Sequence, residues 1–230
     1  MNKYLKLIEE YPDFFNNKGK DSIRIITNPI RIQEEEARLI KEFRSKNLTE
    51  SHGYIGILVD DSYYLIIRDL VEFPNGRIRG YLRFINKASL EGGEAVAILP
   101  VYKGKIILLR NFRHATRDWE LEIPRGYGEN GISAEDNARK ELLEETGLIA
   151  QKLIRLGILH TDTAVRSSPA ILFYAEIIKL KEFDFETEEV ISNITLFSQT
   201  QFENMIKQGN IKDAFSISAY SMAKFEGFIK

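Results

Sequence analysis

The chain is 230 residues long, enough to bury a full hydrophobic core and to carry one catalytic-sized domain with an N-terminal addition. It contains no cysteine, which excludes disulfides and any thiol nucleophile. Its 32 basic residues nearly balance 34 acidic ones, so it lacks the bias of a dedicated nucleic-acid binder and small charged ligands are the partners to expect.

Residues 1–10 read as amphipathic, too short and too charged for a signal peptide, and no apolar run is long enough to span a bilayer. The expectation is a cytoplasmic protein that binds neither membrane nor nucleic acid. Residues 1–53 read as a helical extension, in which Ile32, Leu39, Ile40 and Phe43 fall on one face of a charged helix after Pro29. Residues 54–91 read as an antiparallel sheet. Two strand-like runs flank Asp60 and Asp61, and Pro74-Asn75-Gly76 carries the Asn-Gly pair of a tight hairpin. Residues 92–230 are expected to form the catalytic domain, opening with a buried hairpin around Lys103-Gly104-Lys105 and including a strand over residues 171–178. Internal repeats are absent.

Residues 140–148 read Lys-Glu-Leu-Leu-Glu-Glu-Thr-Gly-Leu. Ser133 and Asp136 have the spacing of an N-terminal capping box, and Gly147 sits where helices commonly stop. Between them, Glu141, Glu144 and Glu145 project from one helix edge beside an apolar stripe of Ala134, Ala138 and Leu142. Like charges at these spacings cost roughly 0.2 to 0.5 kcal/mol per pair, so a cation is expected nearby. An isolated acidic run is most often a solvated face. Here, however, Glu122-Ile123-Pro124-Arg125-Gly126 leads into a loop with Gly126, Gly128 and Gly131, and the loop feeds the helix. A strand end, a glycine loop and an acidic helix make a clamp for a metal and a phosphate, because hard divalent cations take oxygen ligands and keep company with substrate phosphates. The three histidines, His52, His114 and His160, share no ligand spacing, which argues against zinc.

The segment resembles the box of the Nudix hydrolase superfamily: Gly, five residues, Glu, seven residues, then Arg-Glu-apolar-any-Glu-Glu-any-Gly-apolar. Gly126, Glu141, Leu142, Glu144, Glu145, Gly147 and Leu148 fall in register. Ile132 stands where the family has its first Glu, and Lys140 where it has Arg. In the family those two side chains typically form a supporting salt bridge; here Lys140 is expected to stay solvated and Ile132 to pack against the loop. The resemblance implies an α/β Nudix fold, a mixed sheet sandwiched between helices. It implies Mg²⁺ or Mn²⁺ held by Glu141 and Glu145, with Glu144 as a further ligand or catalytic helper and the backbone carbonyl of Arg125 completing the shell. The family's diphosphate-sugar branch takes its base from a loop after the next long strand. Glu186 is the candidate there, Glu188 an accessory ligand, and Glu189 the close alternative, since one residue of misregister exchanges them.

Asn111-Phe112-Arg113 followed by the run from Trp119 through Pro124 looks like the ADP-ribose pyrophosphatase group. By that resemblance Arg113 contacts the substrate diphosphate, Glu122 lies at the site edge and holds a polar group of the substrate or the loop, and Gly126 belongs to the substrate-binding loop; Trp119, the one tryptophan, could stack on a base but is more often a core or rim residue. Gly209-Asn210-Ile211-Lys212-Asp213-Ala214 also matches the branch, whereas Thr163 stands where the group usually has a proline, the nearby one here being Pro169, with Arg166 between them. The group's N-terminal sheet exchanges between subunits, which implies a homodimer. The implied activity is metal-dependent hydrolysis of ADP-ribose to AMP and ribose 5-phosphate, or of a related nucleoside diphosphate sugar. The alternatives are a ligand sensor that has lost efficient turnover, or a hydrolase of dinucleoside polyphosphates, NADH or a GDP-sugar.

Overall fold

The computed structural model describes residues 2–179 and 191–229. The chain divides into two units, one of Met1–Leu90 with Asp162–Ser168, the other of Glu91–Thr161 with Pro169–Lys230.

In the first unit, α1 (Asn2–Glu10) and a 3-10 turn (Pro12–Phe15) precede β1 (Arg24–Ile25), α2 (Pro29–Ser45), a second 3-10 turn (Glu50–Gly53), β2 (Gly56–Asp60), β3 (Tyr64–Glu72), β4 (Ile78–Asn86) and α3 (Lys87–Leu90). Helix α2 starts where the chain dictates, with Asn28 Oδ1 accepting from the Arg31 amide at 3.0 Å and Pro29 at the first helical position. Strand β3 is the centre of an antiparallel sheet, with β4 along its full length and β1 and β2 sharing its other edge. The β3–β4 turn is looser than a two-residue Asn-Gly hairpin. Only Gly76 takes a left-handed conformation (φ 77°), and the Phe73 amide donates to the Arg77 carbonyl at 2.8 Å across a three-residue loop. Tyr4, Leu7, Phe15, Ile32 and Leu39 from the helical segments join Ile55, Leu65, Ile67, Leu70 and Ile85 in one apolar core, so residues 1–53 and the sheet bury each other's apolar faces.

The second unit holds β5 (Ala95–Tyr102), β6 (Lys105–Arg113), β7 (Asp118–Glu122), β8 (Arg125–Gly126), α4 (Ala134–Thr146), β9 (Ile149–Leu159), β10 (Ala170–Lys179), β11 (Ile191–Phe197), α5 (Gln199–Lys207) and α6 (Ala214–Phe225). The sheet runs β11-β6-β5-β10-β9 and is mixed, because β10 lies parallel to β5 while the other pairs are antiparallel. Alternation along the strands makes it two-sided. Val96, Ile98, Ile107, Ile171 and Phe173 face Ala134, Ala138 and Leu142 of α4. Ala97, Leu99, Ile106, Leu108 and Leu172 face Phe202 of α5 and Ala219, Tyr220 and Ala223 of α6. This is the expected mixed sheet between helices.

The β5–β6 hairpin closes tightly, with Lys103 (φ 48°) and Gly104 (φ 75°) both left-handed, yet the strands pair only at Val101–Ile106 and Tyr102–Lys105. Beyond that point β8 takes the edge of β5 and β7 takes the edge of β6. The expected continuous hairpin therefore opens, and the chain between β7 and β8 runs through the opening. Among the described residues, no helix is long and apolar enough to cross a membrane.

Candidate active site

Helix α4 begins at Ser133, whose hydroxyl accepts from the Asp136 amide at 3.1 Å and donates to the Asp136 carboxylate at 2.7 Å. It ends at Gly147, left-handed at φ 65°, whose amide donates to the Leu143 carbonyl at 2.8 Å. With both ends fixed and Ala134, Ala138 and Leu142 buried on the sheet, the acidic edge faces the loop that β8 begins. Glu145 is buried, and its Oε2 accepts from the Arg125 amide at 3.0 Å. Glu141 lies against Gly126 so closely that a Cβ at position 126 would fall 1.8 Å from the carboxyl carbon. Only glycine leaves that carboxylate its place. Gly128 is tied in the same way, since a Cβ there would meet the Gly93 carbonyl carbon at 2.2 Å. One turn before Glu141, buried Asn137 donates to the Tyr127 carbonyl at 2.9 Å, fastening loop to helix.

Lys140 is not the solvated lysine expected from the sequence. It forms an ion pair with Glu129 on the glycine loop and lies 4.0 Å from Glu144. The Glu129 hydrogen bond, followed by the charges of Glu144, Glu129 and Glu141, holds its ammonium above the ordinary lysine range. The physical reason is loop reach. A carboxylate three residues before Ile132 arrives at the same cation, leaving Ile132 half-buried and Lys140 as the positive charge that the crowded helix edge requires. Glu144 is exposed.

Behind the loop stands a second cluster, centred on Glu122. Its carboxylate is 1 % exposed and accepts from Asn111 Nδ2 at 3.1 Å, from Arg113 Nε at 3.1 Å and from an Arg125 guanidinium nitrogen at 3.1 Å. Arg113 and Glu122, both expected to meet substrate, are thus paired to each other here. A second guanidinium nitrogen of Arg125 donates to Asp213 at 3.3 Å, and the guanidinium carbon lies 4.9 Å from the Phe215 ring centroid. Asp213 caps α6 by accepting from the Ser216 amide at 2.8 Å. Glu129, Asn137 and Ser216 are residues that sequence reasoning did not name, and Asn111 and Asp213 it named only within matched stretches, without a role. Of these only Asp213 carried a local signal, a capping residue three positions before Ser216 at the head of an apolar helix.

Trp119 has the Arg110 guanidinium carbon 4.2 Å from its ring centroid and meets Phe112 edge-on at 5.6 Å. Arg166 belongs to the first unit, over Tyr64 at 5.8 Å. Glu186, Glu188 and Glu189 lie outside the described residues. Among the described residues, no three of His, Cys, Asp or Glu gather closely enough to hold a metal ion by themselves. A cation here would rest on Glu141, Glu145, a backbone oxygen and substrate phosphates. That all-oxygen set of one or two carboxylates fits the way a hard cation such as Mg²⁺ is usually held.

A family model for the NUDIX domain matches residues 93–213. The chain is 30% identical over 151 residues to an ADP-ribose pyrophosphatase of Bacillus subtilis, covering 65% of this chain and 76% of that protein. It is 27% identical over 171 residues to an ADP-ribose pyrophosphatase of Escherichia coli K12, covering 66% and 78%. It is 25% identical over 156 residues to the ADP compounds hydrolase NudE of the same organism, covering 67% and 80%. Among solved structures, an ADP compounds hydrolase superposes with a TM-score of 0.64 at 22% identity, covering 74% of this chain and 90% of that one.

Proposed function

We propose that this chain, which belongs to the Nudix hydrolase family, hydrolyses the diphosphate bond of ADP-ribose to AMP and ribose 5-phosphate with the help of a divalent cation, Mg²⁺ or Mn²⁺. The observation that carries the reading is the meeting of the β8 loop with α4: the Arg125 amide on Glu145 and the Gly126 backbone on Glu141. When bound, such a cation neutralises diphosphate charge and lowers the pKa of an attacking water. Glu141 and Glu145, with the Arg125 carbonyl and Glu144, are the groups proposed to hold it. Their positions do not depend on a ligand to be set, because one carboxylate is anchored by a backbone amide and the other is seated on a glycine. Arg113 and Arg125 supply positive charge beside the loop, suited to the phosphates of an anionic substrate, while Glu122 keeps both guanidinium groups oriented. Glu186 is the proposed base that takes the proton of the attacking water, with Glu188 as accessory ligand and Glu189 the alternative base.

The ADP-ribose pyrophosphatases among the relatives favour ADP-ribose over other nucleoside diphosphate compounds. A homodimer, with the N-terminal sheet as its exchange element, belongs to the same proposal. The sensor reading draws on Ile132 and Lys140, but the Glu129–Lys140 pair gives the loop a brace of its own and so supports turnover.

The test is AMP release from ADP-ribose in Mg²⁺, with EDTA and a Glu144→Gln, Glu145→Gln double variant as controls. Metal-dependent release that falls by orders of magnitude in the variant is expected. Undiminished turnover in the variant would sink the mechanism. Tight ADP-ribose binding without AMP would replace it with the sensor.

A further inference from the structure

We propose that Asp213 and Ser216, at the first turn of α6, are positioning residues for the β8 loop: they hold residues 123–126 in the arrangement that brings Arg125 and Gly126 to Glu145 and Glu141. The proposal rests on the hydrolase reading above. The backbone around Pro124 is fixed from several directions. The Ile123 amide donates to Ser216 Oγ at 3.0 Å, the Ile98 amide to the Pro124 carbonyl at 2.9 Å, and the Arg125 amide to Glu145 at 3.0 Å. The Arg125 guanidinium donates to Glu122 and to Asp213 Oδ1.

Two of these anchors belong to α6 and converge on a single carboxylate. Asp213 Oδ2 accepts from both the amide and the hydroxyl of Ser216, at 2.8 and 2.7 Å. A serine hydroxyl has one proton. Because Asp213 takes it, a lone pair of Ser216 is left to face the Ile123 amide, and the carboxylate thereby orients the acceptor of a bond it does not itself make. Ser216 and Ile123 are both fully buried, so no water can stand in for that bond.

Capping α6 requires Oδ2 alone. The bond from Oδ1 to Arg125 and the bond from Ile123 to Ser216 add nothing to the helix, and both end on the loop that carries the site. The C-terminal helix therefore fixes the geometry of a clamp whose carboxylates lie on α4.

The variant that separates cap from link is Asp213→Asn, since asparagine caps a helix about as well as aspartate but offers Arg125 no charge. Three readouts are taken on the full chain: hydrogen exchange at the Ile123 and Arg125 amides, Mn²⁺ binding followed by its EPR signal with no other ligand present, and AMP release from ADP-ribose. The variant is expected to melt within a few degrees of wild type, exchange the two amides about tenfold faster, and lose about tenfold in kcat with little change in KM, the usual scale for a group that orients a metal site. Faster exchange with unaltered kcat would reduce Asp213 to a structural cap and overturn the proposal, as would unchanged exchange. If wild type binds Mn²⁺ but releases no AMP, the hydrolase reading fails by itself, and Mn²⁺ affinity takes the place of kcat: about tenfold weaker binding in the variant supports the positioning role, equal binding overturns it. Neither binding nor turnover in wild type removes both.

Discussion

Each unit of the molecule buries a carboxylate against arginine, and the two clusters differ in what the arginine does next. In the first unit Asp69 accepts from the Tyr4 hydroxyl at 2.6 Å and from Arg83, while the third guanidinium nitrogen of Arg83 donates to the Phe14 carbonyl at 2.7 Å and the group lies over Phe15. Every arm of that cluster ends on α1, the 3-10 turn, β3 or β4. Burial and the neighbouring Asp69 charge push the Tyr4 hydroxyl far above the usual tyrosine range, so it stays a donor at any working pH. In the second unit Glu122 is as deeply buried, but one of its arginines, Arg125, continues to Asp213, and the Arg125 backbone amide donates to Glu145. The same kind of ion pair is a closed staple in one place and reaches the proposed metal site in the other. Burial and pairing are alike in the two clusters; what differs is where each network ends.

The comparison breaks most visibly at Asp69. Asp69→Asn leaves Arg83, about one fifth exposed, without its counter-charge, and a buried pair stripped of one partner costs about 3 to 5 kcal/mol, of which the lower end applies to a partly solvated arginine. Urea denaturation should show that loss, while AMP release per folded molecule stays at the wild-type value. A loss of specific activity in the folded fraction would show that the staple serves the site after all.

Gly126→Ala is the converse case. The new methyl falls where the Glu141 carboxyl lies, and a side-chain end can swing away at little cost to the fold. Activity should fall about a hundredfold, equivalent to about 2.7 kcal/mol of transition-state stabilisation, with the melting temperature nearly unchanged. Activity within a few-fold of wild type would mean that Glu141 can work from another position. Glu122→Gln should rank next, at about tenfold in kcat/KM, because the arginines it orients are one quarter exposed and keep some solvation. A fall in stability with kcat/KM intact would make Glu122 a second staple and erase the contrast with Asp69.

How much of this was legible in the sequence depended on the distance over which each signal acts. The extent of α4 follows from Ser133, Gly147 and the 3.6-residue period between them, all within one helix length. The period-2 runs of β5 and β10 likewise announce a buried sheet with two apolar faces. The apolar stripe of α2 was visible too, but nothing local says what a stripe packs against, and so its shared core with β3 was not. The pairing of Arg125 with Asp213 spans 88 residues and that of Ile123 with Ser216 spans 93, separations at which one sequence carries no pairing information. Glu129 and Lys140 are only 11 residues apart, yet the loop between them makes the contact. Substituting one box position for another is a matter of loop geometry, which spacing rules do not encode.

That relocated pair gives the smallest effect and the one most specific to this chain. Lys140 and Glu129 are more than a third exposed, so their pairing should contribute no more than about 0.2 to 1 kcal/mol to stability. Its pH dependence has a definite sign. The folded state holds the Lys140 ammonium above the unfolded value, near 10.4. The contribution is therefore complete below that pH and is lost as pH rises through the higher folded value. Wild type and Lys140→Met should thus differ by a constant small amount from neutral pH to about 10, then converge in more alkaline solution. Activity should respond more than stability, because Lys140 also stands beside Glu144 on the edge proposed to hold the cation. The reversed pair, Glu129→Lys with Lys140→Glu, should recover the stability but not the activity: it restores the brace while placing one more carboxylate on an edge that already carries Glu141, Glu144 and Glu145. Full recovery of both would reduce Lys140 to a brace, and the crowded helix edge would then need its positive charge from the bound cation alone.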